Sequence, residues 1–521
     1  MGRLDMVRTG VQRAGMSTID PNAYGASWYY ATRVAAPPRG RLVVEVDADV
    51  CVIGAGLAGL TVAREVARRG WSVVVLEAKR VAWNASGRNT GFVLPGFAAS
   101  AQALVARVGL DRAKALWALS EAGAEYVRSA IGEAKMPGVE LSESGWLHTS
   151  KTGRDGALKS EVDLLAGDFG AAAEFWPAER VREDLRSPLY FGAIHYPRGF
   201  SIHPLNYALG LAAAAEADGA RIYEETPALE IDPAGVRKRI VTKDSRVRAA
   251  HVVLAGNVHL AELMPQFAKS LLPVFSYVIA TAPVGPELRD AIRYPGAVSD
   301  TDLADNHYRV MAGDRLIWSG RSTVWRDRPQ RYVDTLLGDI ARAYPQLRNI
   351  KAEYAWSGTL GNTVHRMPQI GEISPGLWLL SGFGGHGLNT TAMGGELIAR
   401  AIVEGDRRWQ MFSPFEVVWA GGMFGRAVQQ VYYWSFRTHE LIEAGLAQRR
   451  EARRRRAAGG RAAASIQASP DAAKPVLPEV QFVPGEAPAA PRKRRRRKRP
   501  DGNAAAVVDA APLSDEKNND R

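Results

Sequence analysis

The segment Asp49-Val50-Cys51-Val52-Ile53-Gly54-Ala55-Gly56-Leu57-Ala58-Gly59 constrains the fold more than any other part of the chain. An unbroken apolar run suits a parallel strand buried on both faces, and the glycines after it suit a tight turn into a helix. Each glycine meets a separate need. Gly54 permits the turn, Gly56 lets the backbone approach a pyrophosphate, and Gly59 allows close helix–strand packing. The pattern predicts a helix from Leu57 to about Arg69 and a second strand over 72–76, ending at Glu77. Glu77 stands 18 residues past Gly59, where a carboxylate accepts hydrogen bonds from a ribose 2′-OH. The combination specifies a Rossmann-type unit that binds an adenine dinucleotide, and the acid disfavours a 2′-phosphate.

The remainder is large enough for a wider α/β (α+β overall) body. With 521 residues, 46% of them hydrophobic, the chain exceeds one simple core and is not mainly disordered. A mainly helical stretch is predicted over 101–136, and a helix over 205–218 leads to a strand over 220–223. Further strands are predicted over 251–254 and 377–380, and a helix over about 391–403. Residues 1–47 read as an N-terminal arm docked by Trp28, Tyr29 and Tyr30. Residues 411–448 read as an amphipathic helical segment, and 449–521, rich in Ala, Pro and Arg, as a disordered tail. That tail holds 18 Lys/Arg against 9 Asp/Glu, leaving 49 against 46 in the body. The net charge of +12 therefore belongs mostly to the tail, whose basic runs at 453–456 and 492–499 suit weak polyanion binding. A lone cysteine, Cys51, excludes an internal disulfide and a cysteine-rich metal site. No metal-ligand spacing is present, and no metal is expected. Without a signal peptide or an apolar run of the ~18 residues a spanning helix needs, a soluble cytoplasmic protein is the expectation.

A flavin is favoured over a nicotinamide by two further segments. Beyond Glu77 lies the donor-rich loop that includes Ala78, Lys79, Ser86, Gly87, Arg88, Asn89, Thr90 and Gly91. Near the other end of the body, Ser381-Gly382-Phe383-Gly384-Gly385-His386-Gly387-Leu388-Asn389 forms a second glycine loop that opens a helix. An isoalloxazine ring needs a second anchoring surface, and a helix N-terminus supplies N–H groups where reduced flavin carries charge.

These segments, with Ser27-Trp28-Tyr29-Tyr30-Ala31-Thr32, His203-Pro204-Leu205, Pro273-Val274-Phe275-Ser276-Tyr277, Tyr354-Ala355-Trp356-Ser357-Gly358 and Arg366-Met367-Pro368-Gln369-Ile370-Gly371, resemble the D-amino-acid oxidase superfamily of FAD-dependent oxidoreductases. Within it the chain is most similar to the γ-glutamylputrescine oxidoreductase group, over about 27–410. The resemblance implies an FAD-dependent oxidoreductase body over 48–410. An FAD domain would be assembled from about 48–105, 195–258 and 350–410. It would interleave with a substrate domain built on a large mixed sheet, from about 106–194 and 259–349. It implies that Ala228 passes near the adenine, and that Ala255-Gly256 closes over the pyrophosphate side. It also implies hydride transfer from the carbon beside an amine nitrogen to flavin N5. The imine would be hydrolysed to an aldehyde, and O2 or another acceptor would reoxidise the flavin. His386, in the second loop, and Arg321, after a strand that faces flavin in relatives, are the catalytic candidates.

Departures from the family pattern narrow the substrate. Cys51 sits inside the first strand and Ser86-Gly87 replaces a histidine region, so non-covalent FAD is expected. The cations that hold a small amino-acid carboxylate in relatives are replaced by Leu94, Thr359-Leu360 and Asn389, and a lysine of oxygen-using relatives by Trp318. A buried carboxylate without a cation is costly. The expected substrate is therefore a plain amine end of a polyamine-derived molecule, in an apolar channel with Trp325, Tyr308 and Trp356 as candidate linings. The alternatives are a glycine, sarcosine or D-amino-acid oxidase or dehydrogenase, and a flavoprotein-derived module that binds nucleic acid or anionic membrane through its tail. His203 is expected to fix a helix start, and His365 to be structural.

Overall fold

The strand Val46–Ile53 runs parallel to Val73–Leu76 on one side and to Arg246–Leu254 on the other, in a computed structural model that describes residues 25–153, 155–300 and 306–467. All four residues of Val73–Leu76 are buried, as are the last four of Val46–Ile53, which is why both read as unbroken apolar runs. The sheet continues outward through Arg221–Tyr223 beyond Val73–Leu76, and through Leu377–Ser381 beyond Arg246–Leu254, all parallel. Gln369–Ser374 closes one edge antiparallel. A small antiparallel extension, Lys238–Val241 and Glu230–Asp232, hangs from Arg246–Leu254.

Helix Leu57–Arg68 follows the first glycine loop, as the spacing predicts. It packs against helix Gly387–Glu404, where a Cβ on Gly395 would lie 2.6 Å from the Cβ of Thr61. Only a hydrogen fits at that crossing. Helix Leu110–Glu133 crosses the other side of Gly387–Glu404 through Gly123, whose added Cβ would meet the Asn389 carbonyl at 2.3 Å. Leu116, Val127 and Ile131 of that helix join the same core as Val52, Leu60 and Leu397.

The second sheet has eight strands in the order Ala352–Asn362, Leu272–Thr281, Arg315–Thr323, His307–Met311, Ala297–Asp300, Trp146–Thr149, Ala193–Tyr196 and Glu174–Trp176. Only the pairing of Ala297–Asp300 with Trp146–Thr149 is parallel. Two expected boundaries shift. Residues 110–133 pack with the first sheet rather than the second, because their apolar stripe meets Gly387–Glu404. Residues 352–362 belong to the second sheet, because they pair along their length with Leu272–Thr281.

Two helix limits also differ from the sequence reading. The helix after the second glycine loop starts at Gly387 rather than near 391, and the hydroxyls of Thr390 and Thr391 bond back to the carbonyls of His386 and Gly387. The C-terminal helix runs over Gly422–Gln467, past the 411–448 segment expected to be helical. Alanine and arginine, which dominate beyond 448, are strong helix formers. The rest of the tail, with the 492–499 basic run, and residues 1–24 of the arm lie outside the described residues. Residues 1–457 and 458–521 form separate contact units. Within the described arm, Trp28–Ala31 makes one helical turn and Tyr29 is fully buried, its hydroxyl donating to the Thr90 carbonyl at 3.1 Å. No helix among the described residues is long and apolar enough to cross a membrane.

Candidate active site

A cavity of about 840 Å³ opens between the two glycine loops and one face of the second sheet. The first loop forms one wall. Gly54 adopts φ +108°, and a Cβ there would meet the Ala255 carbonyl at 2.9 Å. A Cβ on Gly59 would lie 2.0 Å from the Gly54 carbonyl, so this glycine seats the helix against the turn without reaching the cavity. Gly56, Leu57 and Ala58 line the cavity, and the Leu57 N–H donates to Ser86 Oγ at 3.0 Å. A Cβ on Gly56 would come 2.9 Å from that same hydroxyl. The loop is a cradle that any side chain would fill.

Glu77 sits at the end of its strand with both oxygens in use. Oε2 accepts from the Ala55 N–H and Oε1 from the Lys79 N–H, each at 2.8 Å. Burial raises its carboxyl pKa, while the two N–H bonds oppose the rise. Each oxygen retains a lone pair, so the carboxylate fixes the loop and could still take a ribose diol. Ala78, Lys79, Ala228 and Gly256 line the same region.

The donor-rich loop after Glu77 forms a further wall with Ser86, Arg88, Asn89 and Thr90. Gly87 lies behind it, where an added Cβ would meet the Ala82 carbonyl at 2.5 Å. The second glycine loop faces it. Gly384, Gly385, Gly387, Leu388 and Asn389 all line the cavity, and nothing stands within 4 Å of a Cβ added at Gly385 or Gly387. Gly382 instead packs on Thr363. His386 caps the N-terminus of the helix and lines the cavity. Two loops of open backbone, with a carboxylate at one end and a helix N-terminus at the other, suit a dinucleotide whose second half is a flavin.

His386 is one of the imidazoles that line the cavity. The second sheet places His307, Ser299 and His148 opposite one another on three adjacent strands, and Ser319 opposite His307 on the next. His148 Nδ1 lies 2.9 Å from Ser299 Oγ, and Ser319 Oγ lies 3.0 Å from Ser276 Oγ. His148, His307, Ser276 and Ser319 line the cavity. Trp146, two residues before His148 and on the same face, lines it too, and its buried Nε1 has no hydrogen-bond partner. Burial holds the imidazoles of His148, His307 and His386 neutral, each pKa lowered to about 4. His386 is lowered further by His307, His148 and Arg366. Arg366 itself is exposed where it lines the cavity, and its φ is +60°.

Other sequence candidates lie elsewhere. Arg321 does not line the cavity; Nε and Nη2 grip the buried Asp339 at 2.6 and 2.5 Å. Trp325 is exposed, and Tyr308 is fully buried, stacked on Trp318 at 4.3 Å on the opposite face of the sheet from Ser319. Trp356 donates to the Arg88 carbonyl at 2.9 Å from behind the loop. None of the three lines the cavity: strand alternation turns Tyr308 to the other face, Trp325 lies past the end of its strand, and Trp356, opposite Val278, is covered by the Arg88 loop to which it donates. Trp318, which replaces a lysine of relatives, faces away by the same alternation. His203 Nδ1 accepts from the Asn206 N–H and starts a helix, as expected. His365 holds the Met367 N–H and sits 3.2 Å from the Glu416 carbonyl. Leu94, Thr359, Leu360 and Asn389 line the cavity without a cation, and the Asn389 amide is spent on the carbonyls of Gly96 and Ser120. Cys51 is fully buried in its strand, its thiol pKa pushed up to about 12 by burial. Sequence reasoning missed His148, His307 and Trp146. The Trp-x-His alternation in strand Trp146–Thr149 was the available signal.

Comparison with known proteins agrees with this geometry. Residues 49–401 match the family model of the DAO FAD-dependent oxidoreductases. The chain is 30% identical over 393 residues to the γ-glutamylputrescine oxidoreductase of Escherichia coli, covering 74% of this chain and 91% of the relative. It is also 30% identical over 376 residues to "Probable oxidoreductase OrdL" of Haemophilus influenzae, covering 71% and 86%. The glycine oxidase structure from Geobacillus kaustophilus superposes with a TM-score of 0.61 at 21% identity, over 72% of this chain and 99% of that one. With the dinucleotide cradle, the double sheet and this match over most of its body, the chain belongs to the DAO family of FAD-dependent oxidoreductases, which act on C–N bonds of amines.

Proposed function

We propose that the chain oxidises the C–N bond of a polyamine-derived amine with a distant carboxylate, of the γ-glutamylputrescine type, using non-covalently held FAD. Gly54, Ala55, Gly56, Leu57, Ala58 and Gly59 would cradle the pyrophosphate, Glu77 the ribose, and Gly384 to Asn389 the ring side. Non-covalent binding is supported at the positions where relatives attach flavin, since Cys51 lies inside the sheet and Ser86-Gly87 stands in place of the histidine region. A lone buried thiol also suits a cytoplasmic setting. When bound, FAD supplies the acceptor for the hydride that leaves the carbon beside the amine nitrogen, and the imine product hydrolyses to an aldehyde.

One observation carries the reading. His148, His307 and His386 are neutral imidazoles around one end of the cavity, with no arginine or lysine at 94, 359–360 or 389. Neutral imidazole nitrogens accept an N–H bond from an amine, do not repel its charged form, and orient the neutral form that reacts. A carboxylate at this end would find no cation at those positions, and Arg366, which acts on His386, is itself exposed. At the exposed edge, Arg366 offers a fork that fits a distant carboxylate.

The test is a screen of γ-glutamylputrescine, putrescine, sarcosine, glycine and D-alanine by anaerobic flavin bleaching, then peroxide release in air. Reduction by the amines with the amino acids nearly inert is the expected result. Efficient turnover of sarcosine or D-alanine, with both amines inert, overturns it.

A further inference from the structure

From 423 to 446 the outer side of helix Gly422–Gln467 is apolar and, among the described residues, uncovered. Phe424, Val428 and Val431 are 77%, 53% and 58% exposed, and Ile442 and Leu446 continue the same stripe at helical spacing. Met423, Trp434 and Leu441 flank it, also exposed, and Trp419 projects just before the helix. Ser435 and Thr438 fill the gaps, so the stripe carries no charge from 423 to 446. The next positions at the same spacing are Arg449, Arg453 and Arg456, all exposed. The glutamates of this stretch, Glu440, Glu443 and Glu451, fall on other sides, and Glu451 meets Arg182 at 3.3 Å.

The inner side of the helix is committed to the body. Tyr433 is buried against Val274 and Val324 and lines the cavity, Gln430 Oε1 accepts the Val324 N–H, and Arg437 donates to the Ser322 carbonyl. The helix is therefore anchored through one side, and the outer stripe is left facing outward.

We propose that this stripe docks the protein on an anionic lipid surface, the helix lying in the plane of the interface. Phe, Trp, Leu and Val would enter the headgroup boundary, and the arginines that continue the stripe would meet anionic headgroups. A second copy of the helix fits less well, because its outer side offers the arginines no acid. Docked this way, the helix wall that carries Tyr433 brings the cavity beside the lipid surface.

Full-length protein, flavin bound, is sedimented with phosphatidylglycerol-containing vesicles and with pure phosphatidylcholine vesicles, at low and high salt. Two variants accompany it: Phe424→Gln/Val431→Gln/Ile442→Gln, and Arg449→Gln/Arg453→Gln/Arg456→Gln. Binding to the anionic vesicles alone, weakened by salt and reduced at least about tenfold in each variant, is the expected result, with flavin content and amine-driven bleaching unchanged. Unreduced binding by the apolar-face variant would leave only tail electrostatics and overturn the proposal. So would failure of the wild-type protein to sediment with anionic vesicles, or a solution dimer that the same variant splits. None of these outcomes touches the amine screen, so the two readings fail separately.

Discussion

His148 Nδ1 lies 2.9 Å from the hydroxyl of Ser299, the residue opposite it on the neighbouring strand. Ser299 is in turn opposite His307. This register sets two imidazoles on one sheet face with a hydroxyl between them, while His386 comes to the same cavity from the second glycine loop. The cluster exists only because strands from residues 146–149, 297–300 and 307–311 align in one row.

The neutral histidines make stability depend on pH. His148, His203, His307 and His386 have folded-state values lowered to about 4 by burial, below the ordinary imidazole value of about 6.5. The unfolded chain then binds more protons between those limits, so stability is full above about pH 6.5 and falls as pH drops toward 4. Thermal melts across that window should show a progressive loss of Tm, and His307→Asn should make the slope shallower. A flat Tm between pH 6.5 and 4.5 would contradict neutral burial.

Gly56→Leu should abolish FAD retention, because its side chain enters the space beside Ser86 Oγ. Glu77→Gln keeps the shape but turns one acceptor into a donor facing an N–H of Ala55 or Lys79. A buried mismatch of this kind costs about 1–3 kcal/mol, or roughly tenfold or more in FAD affinity if it falls on the bound state. Flavin absorbance per mole of purified protein and fluorescence titration of the apoprotein read the two effects.

Arg366→Gln should raise KM for γ-glutamylputrescine by about tenfold to a hundredfold, the range of a lost charge-assisted bond, and leave putrescine kinetics nearly unchanged. Arg366→Gly removes the same guanidinium but relieves φ +60°, so it should lose the same discrimination while stabilising the fold by up to about 1 kcal/mol. Steady-state kinetics on both amines, with melts of both variants, separate the two effects.

Arg321→Ala should act on stability, not chemistry. Its bidentate partner Asp339 is 4% exposed by side chain and keeps the ion pair with Arg342, on the more exposed side. Breaking a buried pair costs about 3–5 kcal/mol, and the remaining Arg342 contact places this case at or below the low end. A clear drop in Tm with unchanged kcat is expected; a large fall in kcat with normal Tm would return Arg321 to the reacting centre.

Local sequence determined the dinucleotide-binding half. Gly54, Gly56, Gly59 and Glu77 are close along the chain, and turn, strand and helix impose their spacing directly. The second glycine loop, the Tyr29 anchor and the role of His203 at a helix start were legible for the same reason. Tertiary structure alone decided what faces the cavity from the second sheet. Trp318 and Ser319 are neighbours in sequence, yet one packs on Tyr308 and the other lines the cavity. Side chains alternate between faces, and which face is the inner one depends on register with distant strands. The same rule removed Tyr308 as a lining and brought in His148, His307 and Trp146, whereas Trp356 shares the cavity-facing side with Val278 and is covered by the Arg88 loop. The long C-terminal helix divides in the same way. Its periodicity is local, but only its packing through Gln430, Tyr433 and Arg437 determines that the Phe424–Val431–Ile442 side is the one left facing outward.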